Sequence, residues 1–409
     1  MAVTKAFRVQ KRIDSLAECS DSKKNLSRKF GTPAFLEAAK KIREYMQAAG
    51  LITHIDAAKN VRGLYRSPDK DAKTFVIGSH FDTTENSGKY NGSLGFLIAI
   101  EAVSSLVREN IQLPFHLAVV AFSDGEGVRF HSAHLGSKVL TGAFDEEMLY
   151  LEDERGITLK ELLTELKTDY RLMEKEKIAA EKWLGYLDIH IEPGDQLFRK
   201  NLPVAFANSI YGHKRIDIKF TGEAAHAGSM PMEGRKDALA AAAKFVLKVE
   251  EFAAKDRNKI LATVGRLKVI NAATNVIPSI VTCSVDMRSL DNKDLNEAYE
   301  EFYTMVEKIC HKRGIYFEWK LLEESPPVVC DATLNKNLKE AISSLNIKPE
   351  SVISGLATEA TIISNVAPVS LMFLRDYNGI CYNPNEKVIT DDIQLAVEIT
   401  ENFLKGLQI

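Results

Sequence analysis

Three runs of the chain, TFVIGSH (74–80), FHLAVVAFS (115–123) and WLGYLDIHIE (183–192), are apolar almost end to end. Strands this continuous are buried on both faces, which happens when helices cover both sides of a largely parallel sheet. The intervening sequence supplies such helices. PAFLEAAKKIREYMQAAG (33–50) has apolar residues at helical spacing and ends on glycine, and SLGFLIAIEAVSSLVREN (93–110) reads as a largely buried helix. The charged stretch 152–182 reads as helical and solvated.

Past about residue 210 the period changes. HKRIDIKFTG (213–222) alternates as a half-exposed strand does, and 234–254 is a helix. Strands at 260–269 and 279–289, a helix at 294–314 and a strand at 315–323 follow. Strand–helix–strand–strand–helix–strand is a ferredoxin-like α+β unit. EESPPVVCD (323–331) reads as the linker out of it, after which NKNLKEAISSL and SLMFLRD resume the first pattern. The expectation is an α/β domain, residues 1–210 with 326–409, interrupted by a smaller domain at 211–325.

At 409 residues the chain has room for two such domains. A net charge of −3 offers no global field for nucleic acid. Five scattered cysteines, with no C-x-x-C pair, argue for a reducing compartment rather than a disulfide framework. MAVTKAFRVQKRID lacks a signal-peptide core, and Glu101 breaks the longest apolar run, so the expectation is a cytoplasmic protein with no membrane partner.

Three core-strand ends carry imidazole or carboxylate: His80 with Asp82, Asp124 with Glu126, and His190 with Glu192. Open α/β sheets bind ligands at strand carboxyl ends. A metal-bound histidine commonly gives its second ring N–H to a carboxylate, a place Asp82 can fill beside His80. Convergence of these strand ends is what metal-assisted hydrolysis requires.

GSHFDT, GKYNGSLGFLIAIEAV, FSDGEGVRF, LDIHIEPG, GEAAHAGSMPMEGRKDALAAAA and NVIPSIVTCSVDMRS stand in order along the chain. Together they resemble the zinc-dependent amidohydrolases of the N-carbamoyl-L-amino-acid hydrolase, β-ureidopropionase and allantoate amidohydrolase branch, relatives of the di-zinc aminopeptidases. The resemblance implies an aminopeptidase-like catalytic domain, with the inserted domain as lid and homodimer interface. It implies metal ligands at His80, Glu126 and His190, with Asp82 behind His80. It also implies that His226, Asn275 and Arg288 bind a small carboxylate-bearing substrate, with His226 reaching into the neighbouring subunit's site.

Three positions depart from the family pattern. Gly125 stands where the family has the glutamate that activates water, and loss of a positioned base costs about 10²–10⁴ in rate. Asn91 replaces the metal-bridging aspartate, and a neutral amide is a poor bridge between cations. Tyr382 replaces the last ligand histidine, and no histidine follows His311. The family's GHDA is ATEA here, with Thr358 and Glu359, and Pro193 replaces a glutamine. The expectation is therefore one zinc or other divalent metal, or none. Three readings stay open: a protein altered or inactive as a di-zinc hydrolase, an active mononuclear amidohydrolase, and a dimeric binding or structural protein. Asp124 and Glu359 are candidate substitute bases.

Overall fold

The computed structural model describes residues 4–255, 259–377, 379 and 383–407. The chain opens with helices α1 (Lys5–Ala17) and α2 (Pro33–Ala48) and the hairpin β1 (Ile52–Ile55) and β2 (Val61–Tyr65). Then come β3 (Thr74–His80), α3 (Ser93–Arg108), β4 (His116–Phe122), α4 (Leu135–Thr141) and α5 (Leu159–Glu165). β5 (Trp183–Ile191), α6 (Gln196–Lys200) and β6 (Val204–Ile210) lead out. The next elements are β7 (Gly212–Thr221), β8 (Ala225–His226), α7 (Ala238–Lys255), β9 (Leu261–Ile270) and β10 (Val276–Ile277). They are followed by β11 (Ile280–Ser289), α8 (Asn292–Arg313), β12 (Tyr316–Ser325) and β13 (Val328–Val329). The chain closes with α9 (Ala332–Ser343), β14 (Ser351–Ser354), α10 (Glu359–Ile363), β15 (Val369–Leu374) and α11 (Thr390–Gly406). Two compact units result: Met1–Asn208 with Cys330–Ile409, and Ser209–Val329.

In the larger unit the sheet runs β1-β2-β4-β3-β5-β15-β6, with β14 paired to β6. The central strands β4, β3, β5 and β15 are parallel, and antiparallel strands flank them. Every residue of β3, β4 and β15 after the first or second is buried, as expected of strands covered on both faces. Parallel pairing puts the ends of β3 and β5 on one edge of the sheet. Gly78 is opposite Asp188, which brings the His80 and His190 rings to 5.7 Å between centroids. Buried α3 packs on β3, β4 and β5, and α11 and α1 pack on α3.

Helix α1 was not anticipated from the sequence, yet its signals are conventional. Thr4 caps it by accepting from the Phe7 N–H, and Ala6, Val9, Ile13 and Leu16 form its buried stripe. The charged stretch 152–182 departs from expectation. Only Leu159–Glu165 forms an α-helix, flanked by short helical turns, and Leu159, Leu162, Leu163 and Met173 are buried. Leucines at that spacing make it a packed surface layer rather than a solvated helix.

The smaller unit is an antiparallel sheet, β12-β7-β11-β9, with α7 and α8 packed against it, the ferredoxin-like order. β11 alternates half-buried and buried residues along its whole length, and Ile216, Phe220, Phe245 and Phe302 fill the core. Among the described residues no helix is long and apolar enough to cross a membrane. Cys19, Cys283, Cys310 and Cys330 are buried and free; Cys381 lies outside the described residues.

Candidate active site

The strand ends converge. His80, at the end of β3, points its Nε2 at Glu126, 3.8 Å from Oε1. Its Nδ1 lies 3.0 Å from the Asp82 backbone carbonyl and 3.7 Å from the Asp82 carboxylate. Asp82 therefore serves His80 through its main chain. Its carboxylate accepts instead from the N–H groups of Gly125 (2.8 Å) and Glu126 (3.1 Å), clamping the loop after β4.

That loop is strained. Asp124 (φ 50°), His131 (φ 56°) and His134 (φ 65°) all hold left-handed backbone, a cost met at sites whose geometry is over-determined. The Asp124 carboxyl is fully enclosed, with Oδ1 unpartnered; burial, and then the neighbouring Asp82 charge, push its pKa well up.

Gly125 has no room for a side chain. A β-carbon there would overlap the His80 β-carbon and sit 2.7 Å from Glu359 Oε1. Glu359, the first residue of α10, is wholly buried, and neither of its oxygens has a hydrogen-bond partner. His134 Nδ1 and His190 Nε2 approach it at 3.8 and 3.9 Å. Those are ion-pair distances, too long for hydrogen bonds. Burial alone would raise the Glu359 pKa, but His134, His80 and His190 together hold it down, to about 2. Burial likewise works against charge on His80, yet Glu126, Glu359 and Asp82 lift its pKa to about 9.

His190, at the end of β5, lies 2.9 Å from Asp188 Oδ1 through Nε2, but the contact is off the direction a ring N–H would take. Both ring nitrogens of His190 and Asp188 Oδ1 are thus buried without a hydrogen bond. Asp188, His190 and Glu359 offer three ligand atoms within 4.8 Å of one another.

Asn91 faces Glu126 with its amide nitrogen, donating to Oε1 at 3.1 Å. The backbone N–H groups of Tyr90 and Asn91 both donate to Glu386, whose second oxygen is unpartnered. Burial, opposed by those two bonds but helped by Asp376 and Glu126, raises the Glu386 pKa to about 7.

In the smaller unit His226 and Asn275 are neighbours. β8 pairs with β10, and the Ala227 N–H donates to the Asn275 carbonyl at 2.9 Å. Both side chains are exposed. Arg288 is near the opposite end of β11 from Ile280, about 26 Å of extended strand at ~3.3 Å per residue. Its guanidinium holds Asp286 through two bonds, of 2.7 and 3.0 Å. Tyr382 lies outside the described residues.

Residues 53–406 match the family described as peptidase family M20/M25/M40. Allantoate deiminase 1 of Glycine max is 32% identical over 97% of this chain and 88% of that protein. The chain belongs to the M20/M25/M40 family. The N-carbamoyl-L-amino acid amidohydrolase of Geobacillus stearothermophilus is 30% identical over 88% of this chain and 87% of its own. Among solved structures, AtUAH in complex with (S)-hydroxyglycine superposes with a TM-score of 0.87. It is 26% identical and covers 98% of this chain and 97% of its own.

The donor set the family resemblance implies for two metals does not fit these residues. Asn91 is turned as a donor toward Glu126, so no anion stands between His80 and His190 at that position. The orphaned set Asp188, His190 and Glu359 does fit one divalent ion, since its nitrogen and oxygen donors suit a first-row metal. Asp188 and Glu359 were not proposed as ligands from the sequence. For Asp188 the signal was present: it stands two residues before His190 on a strand, hence on the same face. Nothing in the sequence pattern marks Glu386.

Proposed function

We propose that this chain is an altered amidohydrolase. It takes a small carboxylate-bearing N-carbamoyl or ureido compound into the site at the ends of β3, β4 and β5, and lacks paired-metal hydrolysis. The observation that carries this reading is Gly125: the place of a side chain there is filled by His80 and Glu359, so no base can stand at that position. The substrate class follows from the relatives, named for allantoate and N-carbamoyl-L-amino acids, and from a structural neighbour in complex with (S)-hydroxyglycine. A homodimer is part of the proposal. His226 with Asn275 and, far along the same unit, Arg288 are too widely spaced to grip one small molecule from a single copy. The partners proposed are a small carboxylate-bearing molecule and a second copy of the chain; a net charge of −3 gives no global field for nucleic acid.

A second reading, an active mononuclear amidohydrolase, is favoured by the unpartnered Glu359 carboxylate beside His190. One metal, when bound, would supply Lewis-acid polarisation of the scissile carbonyl. Glu359 would then help to hold that metal, together with Asp188 and His190. Elemental analysis of the purified protein, with a turnover panel of allantoate and N-carbamoyl amino acids, separates the readings. Stabilisation by these compounds without turnover supports the first, and turnover with about one metal per chain supports the second. Two metals per chain with efficient turnover would sink both.

A further inference from the structure

We propose that Asp188, His190 and Glu359 form a binding site for a single first-row divalent cation, in which the Glu359 carboxylate occupies space left open by Gly125. This goes beyond the reading above, because cation binding at these residues needs no turnover.

The three donors come from two elements that the fold locks together. Asp188 and His190 project from the same face of β5, and Asp188 Oδ2 accepts from the Ala360 N–H at 3.4 Å, tying the start of α10 to the strand. Glu359, at that start, then lies with Oε2 3.9 Å from His190 Nε2. Glu359 and Asp188 are wholly enclosed and His190 is 2% exposed. Five polar atoms of the three residues, both Glu359 oxygens, both His190 nitrogens and Asp188 Oδ1, have no hydrogen-bond partner, and each residue can give one of them to an ion. Buried polar atoms are almost always paired, and a buried carboxylate left unpaired is costly. A carboxylate–imidazole–carboxylate set with unspent lone pairs is the chemistry of a zinc, cobalt or manganese site.

The close approach at Gly125 supports the assignment independently. Glu359 Oε1 can lie 2.7 Å from the place of a β-carbon only because residue 125 has none. The crowding of carboxyl groups points the same way. Asp82, Glu126, Asp188 and Glu359 are gathered around His80, His134 and His190, one more carboxyl group than imidazoles.

The test is titration of chelator-stripped, full-length protein with cobalt(II), followed by visible absorption, metal stoichiometry and thermal shift. About one cobalt per chain is expected. Glu359→Gln, the same size without the charge, should weaken binding at least ~10-fold, as should Asp188→Asn. Glu126→Gln, which leaves the three ligands intact, should weaken it less. Metal-free melting and circular dichroism establish that each variant folds; if Glu359→Gln does not, Asp188→Asn decides. No uptake by the wild type would overturn the proposal. So would a greater loss in Glu126→Gln, which would place the ion between His80 and Glu126.

Discussion

Gly125→Ala adds one methyl group, and the structure states what that group meets. Its β-carbon would overlap the His80 β-carbon, lie 2.8 Å from His80 Cγ and 2.7 Å from Glu359 Oε1. The histidine atoms cannot yield, because His80 ends a central strand and its β-carbon is fixed by the backbone. The glutamate tip can yield, but only by leaving the three imidazoles that hold it ionised. Overpacking of this kind costs about 1–3 kcal/mol, and two immovable contacts place this case near the upper limit. A change of about 3 kcal/mol lowers the melting temperature of the larger unit by roughly 6 °C, at ~2 °C per kcal/mol. Gly265→Ala is the control: its nearest neighbour is Ser284 Oγ at 4.0 Å, so the change should stay within about 0.5 kcal/mol. Shortening the carboxylate relieves only the Glu359 half of the clash. Glu359→Asp in the Gly125→Ala background should therefore return about 1 kcal/mol relative to the sum of the single changes. Denaturant unfolding in chelator of wild type, the two single variants and the double variant, with Gly265→Ala alongside, measures each term. If Gly125→Ala is as stable as wild type, or if the two sites add without coupling, the crowding around residue 125 is misread.

Glu386 sets a pH dependence. Burial lifts its carboxyl from 4.5 to about 7, so the folded chain holds this proton more tightly than the unfolded one. The associated stability is complete below about pH 4.5 and is lost as pH rises toward 7, by roughly 3 kcal/mol at most. Glu386→Gln keeps the acceptor for Tyr90 and Asn91, and in chelator should gain stability at pH 8 but not at pH 4; equal effects at both would refute the assignment. Buried Arg28 donates to the carbonyls of Leu16, Cys19 and Phe81 and to Ser93 Oγ. Arg28→Met strands those acceptors and should cost about 3–5 kcal/mol in denaturant unfolding; a loss under 1 kcal/mol would show them repaired by water. Asn91→Asp replaces a donor to Glu126 with a second negative charge. It should destabilise the metal-free protein by about 1–3 kcal/mol while raising its affinity for divalent metal, read by melting with and without zinc.

The parts of this molecule that sequence makes legible are those set by local pattern. Uninterrupted apolar runs locate β3, β4 and β5, and the switch to alternation after residue 210 locates the smaller sheet, because burial on two faces or one leaves different periods. Strand ends bearing His80 and His190 then predict where chemistry collects. Asp82 shows the limit: H-x-D spacing suggests a carboxylate behind an imidazole, but spacing cannot say whether that carboxylate turns to the ring or to the loop amides of Gly125 and Glu126. The relation between Gly125 and Glu359 is further from view. As letters, one is a lost base and the other a lengthened aspartate, two separate departures far apart in the chain. Folding makes them one change, since the oxygen of the second stands against the place where the first would carry its side chain. A site can therefore lose an acid at one strand end while a longer acid on a neighbouring helix reaches toward the vacated place, with one carboxylate fewer in total. Position-by-position comparison counts two unrelated departures, whereas the pocket registers one carboxylate lost and its neighbour extended into the space.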